Sequence, residues 1–299
     1  MTDKLLHQPV LLQPTIDALK ITPDEAYLDC TLGSAGHAVE ILKKGGKLFG
    51  LDIDPAALKR AKARLEKIPN VFFRLKKQNF SQLNQAVQSW GLTSVAGILL
   101  DLGLSSEQLA DTARGFSFLT AAPLDMRADP DLKVTAADLV NGLTKKELNE
   151  LFKKLGQEQY SLAIADGIVR ARRQNRINST LELVDIVNRA VGRRRGKIHP
   201  ATKVFQALRM AVNDELNNLK TCLPQAVKLL KPKGRLVVIT FHSLEDRIIK
   251  HFIKNNQKLE NLTKKPIRPT ETEIKNNPRA RSAKLRIAEK IWLSKKNKN

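Results

Sequence analysis

Residues 26–55 read AYLDCTLGSAGHAVEILKKGGKLFGLDIDP, and this stretch decides the fold class. Ala26 to Cys30 is a short apolar run carrying an acid near its end, which predicts a strand. Thr31 to His37 is a turn of small residues. Ala38 to Lys44 reads as a helix stopped by Gly45-Gly46. Lys47 to Asp52 is a second strand. Asp54-Pro55 then opens a helix to about Lys67, with Asp as N-cap and Pro in the first turn. Further along, Pro69-Asn70 precedes a strand from Val71 to Leu75. Gln82 to Ser89 is a helix, and Val95 to Leu100 is a very apolar strand ending at Asp101. Strands alternating with helices predict a parallel sheet with helices on its faces.

The first turn also carries a ligand signal. Gly33 and Gly36 let a ligand approach the backbone, and the following helix start offers unpaired N–H groups. Asp52 closes the second strand 19 residues after Gly33, where a carboxylate suits a ribose diol. The dinucleotide pattern G-x-G-x-x-G fails, because position 35 is Ala and position 38 is Ala. S-adenosylmethionine fits better, having no pyrophosphate to cradle.

The alternation stops after Asp101. From Leu104 to about Asn218 there is almost no strand signal. Loops holding Pro123 and Pro130 give way to amphipathic helices at Lys145 to Lys154, Gln159 to Asn175, Thr180 to Val191, and onward from Ala201. Thr144 and Glu147 form a capping-box pattern before the first of these. Sheet character returns at Gly234 to Thr240. The chain therefore divides into an α/β part at 1–105, a helical insertion at 106–215, and a second α/β part at 216–299.

Composition narrows the class. With 299 residues, 42% hydrophobic and 27% charged, the chain can bury a core. No apolar run approaches the ~18 residues of a membrane helix, and the N-terminus lacks an apolar signal core, so a cytoplasmic protein is expected. Two cysteines exclude a disulfide framework and a Cys-based zinc site, and no metal is expected. The net charge is +22 and uneven. Lys250 to Asn299 holds fifteen basic against four acidic side chains, and Ile168 to Lys197 nine against two. Asp101 to Asp131 reverses the sign, with six acids against two arginines. Such clustering points to a polyanion, most simply nucleic acid.

Longer motifs carry a resemblance. They are His7-Gln8-Pro9-Val10-Leu11-Leu12, Asp29 to His37, Gly97 to Gly103, Arg114-Gly115-Phe116-Ser117-Phe118 with Pro123 to Arg127, His199 to Arg209, Thr240 to Arg247, and Asn277 to Arg286. In this order, over nearly the whole chain, they resemble the bacterial 16S rRNA cytosine-N4 methyltransferases that modify cytidine 1402. The resemblance implies a Rossmann-like class I methyltransferase sheet interrupted by an all-helical insertion that recognises substrate. It also implies S-adenosylmethionine as cofactor and 16S rRNA of the small ribosomal subunit as partner, leaving the oligomeric state open. Carried over residue by residue, the cofactor site is the backbone of Ala35, Gly36 and His37, with Asp52, Phe80, Asp101 and Gln108. The family usually has Gly where this chain has Ala35; alanine keeps the turn at negative φ and is strained at positive φ.

The residues agree with an amine nucleophile. Methylation of cytosine C5 needs a placed cysteine, whereas Cys30 falls in a strand and Cys222 in a helix. Asp101, at a strand's carboxyl end, is the candidate to orient the amine and touch the cofactor. Phe80 is placed either to cover an adenine ring or to staple the core. His37 and His242 are expected to make helix-turn hydrogen bonds. Arg193-Arg194-Arg195 is expected to contact phosphate. An oxidoreductase and a non-catalytic RNA-binding factor remain the alternatives, the first disfavoured by the broken glycine pattern.

Overall fold

The structure is a computed structural model that describes residues 9–192 and 199–292. His7, Gln8 and Arg193-Arg194-Arg195 lie outside the described residues. The chain forms two compact units, residues 1–103 with 216–299, and residues 104–215.

The first unit holds a seven-stranded sheet. Its strands are β1 (Ala26–Asp29), β2 (Lys47–Asp52), β3 (Phe73–Lys77), β4 (Val95–Asp101), β5 (Leu230–Thr240), β6 (Leu259–Asn261) and β7 (Lys284–Lys290). Their order is β3-β2-β1-β4-β5-β7-β6. From β3 to β5 every pairing is parallel, as the alternation predicts. β7 departs from it, running antiparallel to both β5 and β6. The reason lies in register. The chain re-enters the sheet with Lys284 opposite Thr240, the residue on which β5 ends, so β7 runs back along β5.

Helices of this unit are α1 (Leu12–Leu19), α2 (Gly36–Lys43), α3 (Pro55–Leu65) and α4 (Leu83–Ser89). The insertion supplies α5 (Ser106–Ala110), α6 (Ala136–Gly142), α7 (Lys145–Lys154), α8 (Ser161–Arg172), α9 (Thr180–Val191) and α10 (Ala201–Val212). After it come α11 (Glu215–Leu229), α12 (Ser243–Asn255) and α13 (Glu271–Asn276). Neighbouring residues of the central strands serve opposite faces of the sheet. Ile98, Leu100, Leu236 and Val238 pack with side chains of α4, α11 and α12. Leu99, Val237 and Ile239 pack with α1, α2 and α3. Burial on both faces is why β4 and β5 read as continuous apolar runs rather than alternating ones. Among the described residues, no helix is long and apolar enough to cross a membrane.

Part of the C-terminal charge run, in β7, lies in the sheet. Arg286 of β7 is buried, and its Nε donates to Asp246 at 2.6 Å. Lys284 donates to the same carboxylate at 3.0 Å. Burial alone would raise the Asp246 carboxyl, but these two cations hold it below the ordinary value. Because its folded-state value is depressed, its contribution to stability is present above the ordinary carboxylate range and lost in acid. Asp246→Ala leaves Arg286 buried without its anion, so a loss of about 3–5 kcal/mol is expected in urea unfolding. A change below about 1 kcal/mol would mean water replaces the pair.

The second unit is built on capped helices. Thr135, Thr144 and Ser179 each accept from a backbone N–H three residues on, and Asp138, Glu147 and Glu182 return the bond. The loop from Arg114 to Asp131 is held by Asn213, which accepts from the Ala128 amide at 2.7 Å and donates to the Met126 carbonyl at 2.8 Å. Asp125 and Arg127 pair within that loop at 2.8 Å.

Candidate active site

Three acids stand at the carboxyl ends of three adjacent strands: Asp29 on β1, Asp52 on β2 and Asp101 on β4. Each is fixed by the backbone around it. Asp29 accepts from the Thr31 amide at 3.1 Å. Asp52 takes the Gly33 amide on Oδ2 at 2.8 Å and the Asp54 amide on Oδ1 at 2.9 Å. Asp52 thus ties the second strand end to the first turn, an organising role beside the ribose role expected for it. The Asp101 amide donates to Thr31 Oγ1 at 2.6 Å.

Among the described residues, no lysine or arginine pairs with these acids. Burial pushes Asp29 up to about 7, with Asp52 adding repulsion. Burial pushes Asp52 up to about 6, although the amides of Asp54 and Gly33 pull it down. Asp101 is raised well above the ordinary carboxylate range, by burial first and then by Asp29 and Glu245. Asp101 Oδ1 is buried with no hydrogen-bond partner. A buried carboxylate oxygen left open costs free energy unless a ligand meets it. Acids held without a lysine or arginine suit a positively charged ligand, and a sulfonium methyl donor is one.

The first turn departs in detail from what the sequence suggests. Ala35 adopts φ +62°, the strained case, at a cost of about 1–2 kcal/mol. Its amide donates to the Leu32 carbonyl at 2.8 Å. Gly36 is required by the chain itself: a Cβ there would sit 2.2 Å from Pro9 Cγ. Gly33 is the position with room, at φ +53°, where the nearest atom to an added Cβ would be 3.9 Å away. Phe80 opens a 3-10 turn capped by Asn79, and its ring packs half-buried against the core. Gln108 belongs to the second unit, where its Oε1 accepts from the Ser105 amide at 3.0 Å in a capping box. His37 is buried, with Nε2 3.1 Å from the Val10 carbonyl and Nδ1 3.6 Å from Asp101 Oδ2. His242 caps α12, accepting from the Glu245 amide on Nδ1 at 3.4 Å. Sequence reasoning misses the parts played by Thr31 and Glu245. The motif Thr240 to Arg247 contains Glu245, but only the fold brings its charge close enough to raise Asp101.

Asp52 gives the site a pH dependence. An ionised carboxylate at this strand end suits diol hydroxyls; protonated, it is a poorer acceptor. S-adenosylmethionine affinity is therefore expected to weaken by about tenfold between pH 7 and pH 5, measured by calorimetric titration, as Asp52 gains its proton near pH 6. A flat profile would remove Asp52 from the binding site.

A doubly wound sheet with one reversed strand, acids at the ends of β1, β2 and β4, and a glycine turn feeding α2 define a class I, S-adenosylmethionine-dependent methyltransferase. The model of the MraW methylase family matches residues 4–291. The chain belongs to that family. It is 46% identical to a ribosomal RNA small subunit methyltransferase H of Thermomicrobium roseum, over 95% of this chain and 94% of that one. The protein of the same name from Carboxydothermus hydrogenoformans is 45% identical, over 95% and 98% of the two chains. That from Halothermothrix orenii is 41% identical, over 96% and 99%.

Proposed function

We propose that this protein transfers a methyl group to the N4 amine of cytidine 1402 in 16S rRNA, acting in the cytoplasm on the small ribosomal subunit. The observation that carries the amine chemistry is Asp101 Oδ1, buried and without a partner at the end of β4. A 5-methylating enzyme needs an exposed cysteine nucleophile. Both cysteines here are buried, Cys30 at 2% and Cys222 at 0% exposure. The N4 amine needs no covalent adduct; it needs orientation and a group to take its proton.

S-adenosylmethionine supplies an electrophilic methyl carbon on a cationic sulfur. Asp52 would hold the ribose diol, and the start of α2 at Ala35, Gly36 and His37 would face the cofactor with its backbone. Phe80 and Gln108 complete the set by resemblance. Asp101 accepts a hydrogen of the amine, which aims the nitrogen lone pair at the methyl, and then takes the proton that the nitrogen must lose. Substrate recognition falls to the helical insertion and to basic groups, Arg193, Arg194 and Arg195 among them, through phosphate contacts.

The test is mass-spectrometric mapping of small-subunit rRNA from cells lacking the protein. The expected result is loss of one methyl group at cytidine 1402, restored by the wild-type chain. An unchanged methylation state at that nucleotide would refute the assignment.

A further inference from the structure

His37 is 5% exposed, and its two ring nitrogens face Val10 and Asp101. Its Nε2 lies 3.1 Å from the Val10 carbonyl oxygen. A carbonyl only accepts, so Nε2 carries the hydrogen. In the neutral ring Nδ1 then holds a lone pair, and it faces Asp101 Oδ2 at 3.6 Å. That separation is an ion-pair distance, and one proton held by the pair, as imidazolium and carboxylate or as imidazole and carboxylic acid, would favour it. The charges that raise Asp101 are the acids Asp29 of β1 and Glu245 of α12, and His37 is the base beside it.

We propose that His37 is a positioning residue for methyl transfer: anchored on Val10 through Nε2, it shares one proton with Asp101 through Nδ1 and so keeps Oδ1 an acceptor for the amine. This inference rests on the reading that Asp101 meets the N4 amine. In the step, the N4 lone pair bonds the methyl carbon while that carbon's bond to sulfur breaks, and the bonding pair leaves with sulfur. The surplus N4 proton goes to Asp101. The His37–Asp101 pair then holds two protons and returns one to solvent before the next turnover.

The experiment has a part that needs no substrate. Nitrogen-15 NMR of the ring in the free protein should show the neutral His37 as the Nε2–H form, and Asp101→Asn should lower the midpoint of its Nδ1 titration by about 1 unit or more. A neutral ring protonated on Nδ1, or a titration indifferent to Asp101→Asn, overturns the proposal. The kinetic part uses His37→Gln, whose amide can still donate to Val10 but does not titrate. It should lower kcat by about 10²-fold, shift the acid limb of the pH–rate profile, and leave the Kd for S-adenosylmethionine within about threefold. His37→Asn, which places an amide near the former Nδ1, should recover part of that kcat. A purely structural role would weaken cofactor binding and leave the profile's shape unchanged, and that result also overturns the proposal. If the product proves not to be N4-methylcytidine, the functional assignment fails while the NMR result stands; the converse fails the proton sharing alone.

Discussion

Asp101→Asn is expected to lower kcat by about 10²–10⁴-fold, the range for losing a proton acceptor from a transition state. The substitution is nearly isosteric, so the end of β4 and the amide bond to Thr31 Oγ1 at 2.6 Å should persist. It also removes a buried acid from beside Asp29 and Glu245, which raise its protonation affinity in the native fold. Unfolding stability of the free protein should therefore hold or rise while activity collapses, the opposite signs marking a site strained for function. Single-turnover methyl transfer with urea unfolding of the same variant separates the two. A kcat within threefold of wild type would take Asp101 out of the chemistry.

Asp52→Ala is expected to weaken S-adenosylmethionine binding by about 1–3 kcal/mol, the cost of hydrogen bonds to a charged acceptor left unmade. Two effects add. The proposed ribose acceptor is lost, and the Gly33 and Asp54 amides lose the carboxylate that both now share. The second effect loosens the first turn, where Ala35 already sits at φ +62°. Titration calorimetry on a variant with wild-type circular dichroism is the measurement. Unchanged affinity would sink the ribose assignment.

Local chemistry makes much of the fold legible in the sequence. β2 at Lys47–Asp52 follows from an apolar run bounded by Gly46 and Asp54-Pro55. α7 at Lys145–Lys154 follows from its capping box and apolar stripe, and α9 at Thr180–Val191 from its apolar stripe. Other elements lack such signals. α1 begins after Leu11 in a left-handed conformation with no side-chain cap, and α11 contains Pro224. α6 is a seven-residue helix whose capping residue, Thr135, pairs with Asp138 rather than with Glu. β7 reads as part of a charged segment because its arginine and lysine are neutralised by Asp246, an acid 40 positions before Arg286 in the chain. The strand-end acids are legible because ligands gather at the carboxyl ends of parallel strands. The contact between His37 and Asp101 is not, because it depends on Val10, 27 positions before His37, turning the ring. Gly36 misleads for the same reason: its sequence context suggests a ligand's approach, and the group that approaches it is Pro9.

The most direct test of amine methylation without a cysteine nucleophile is the identity of the methylated nucleoside. Purified protein, small ribosomal subunits lacking the modification and S-adenosylmethionine are incubated together. The rRNA is then digested to nucleosides and resolved by liquid chromatography with mass detection. N4-methylcytidine is expected, formed equally by the Cys222→Ser variant. Formation of 5-methylcytidine, or loss of all product in Cys222→Ser, would contradict that expectation.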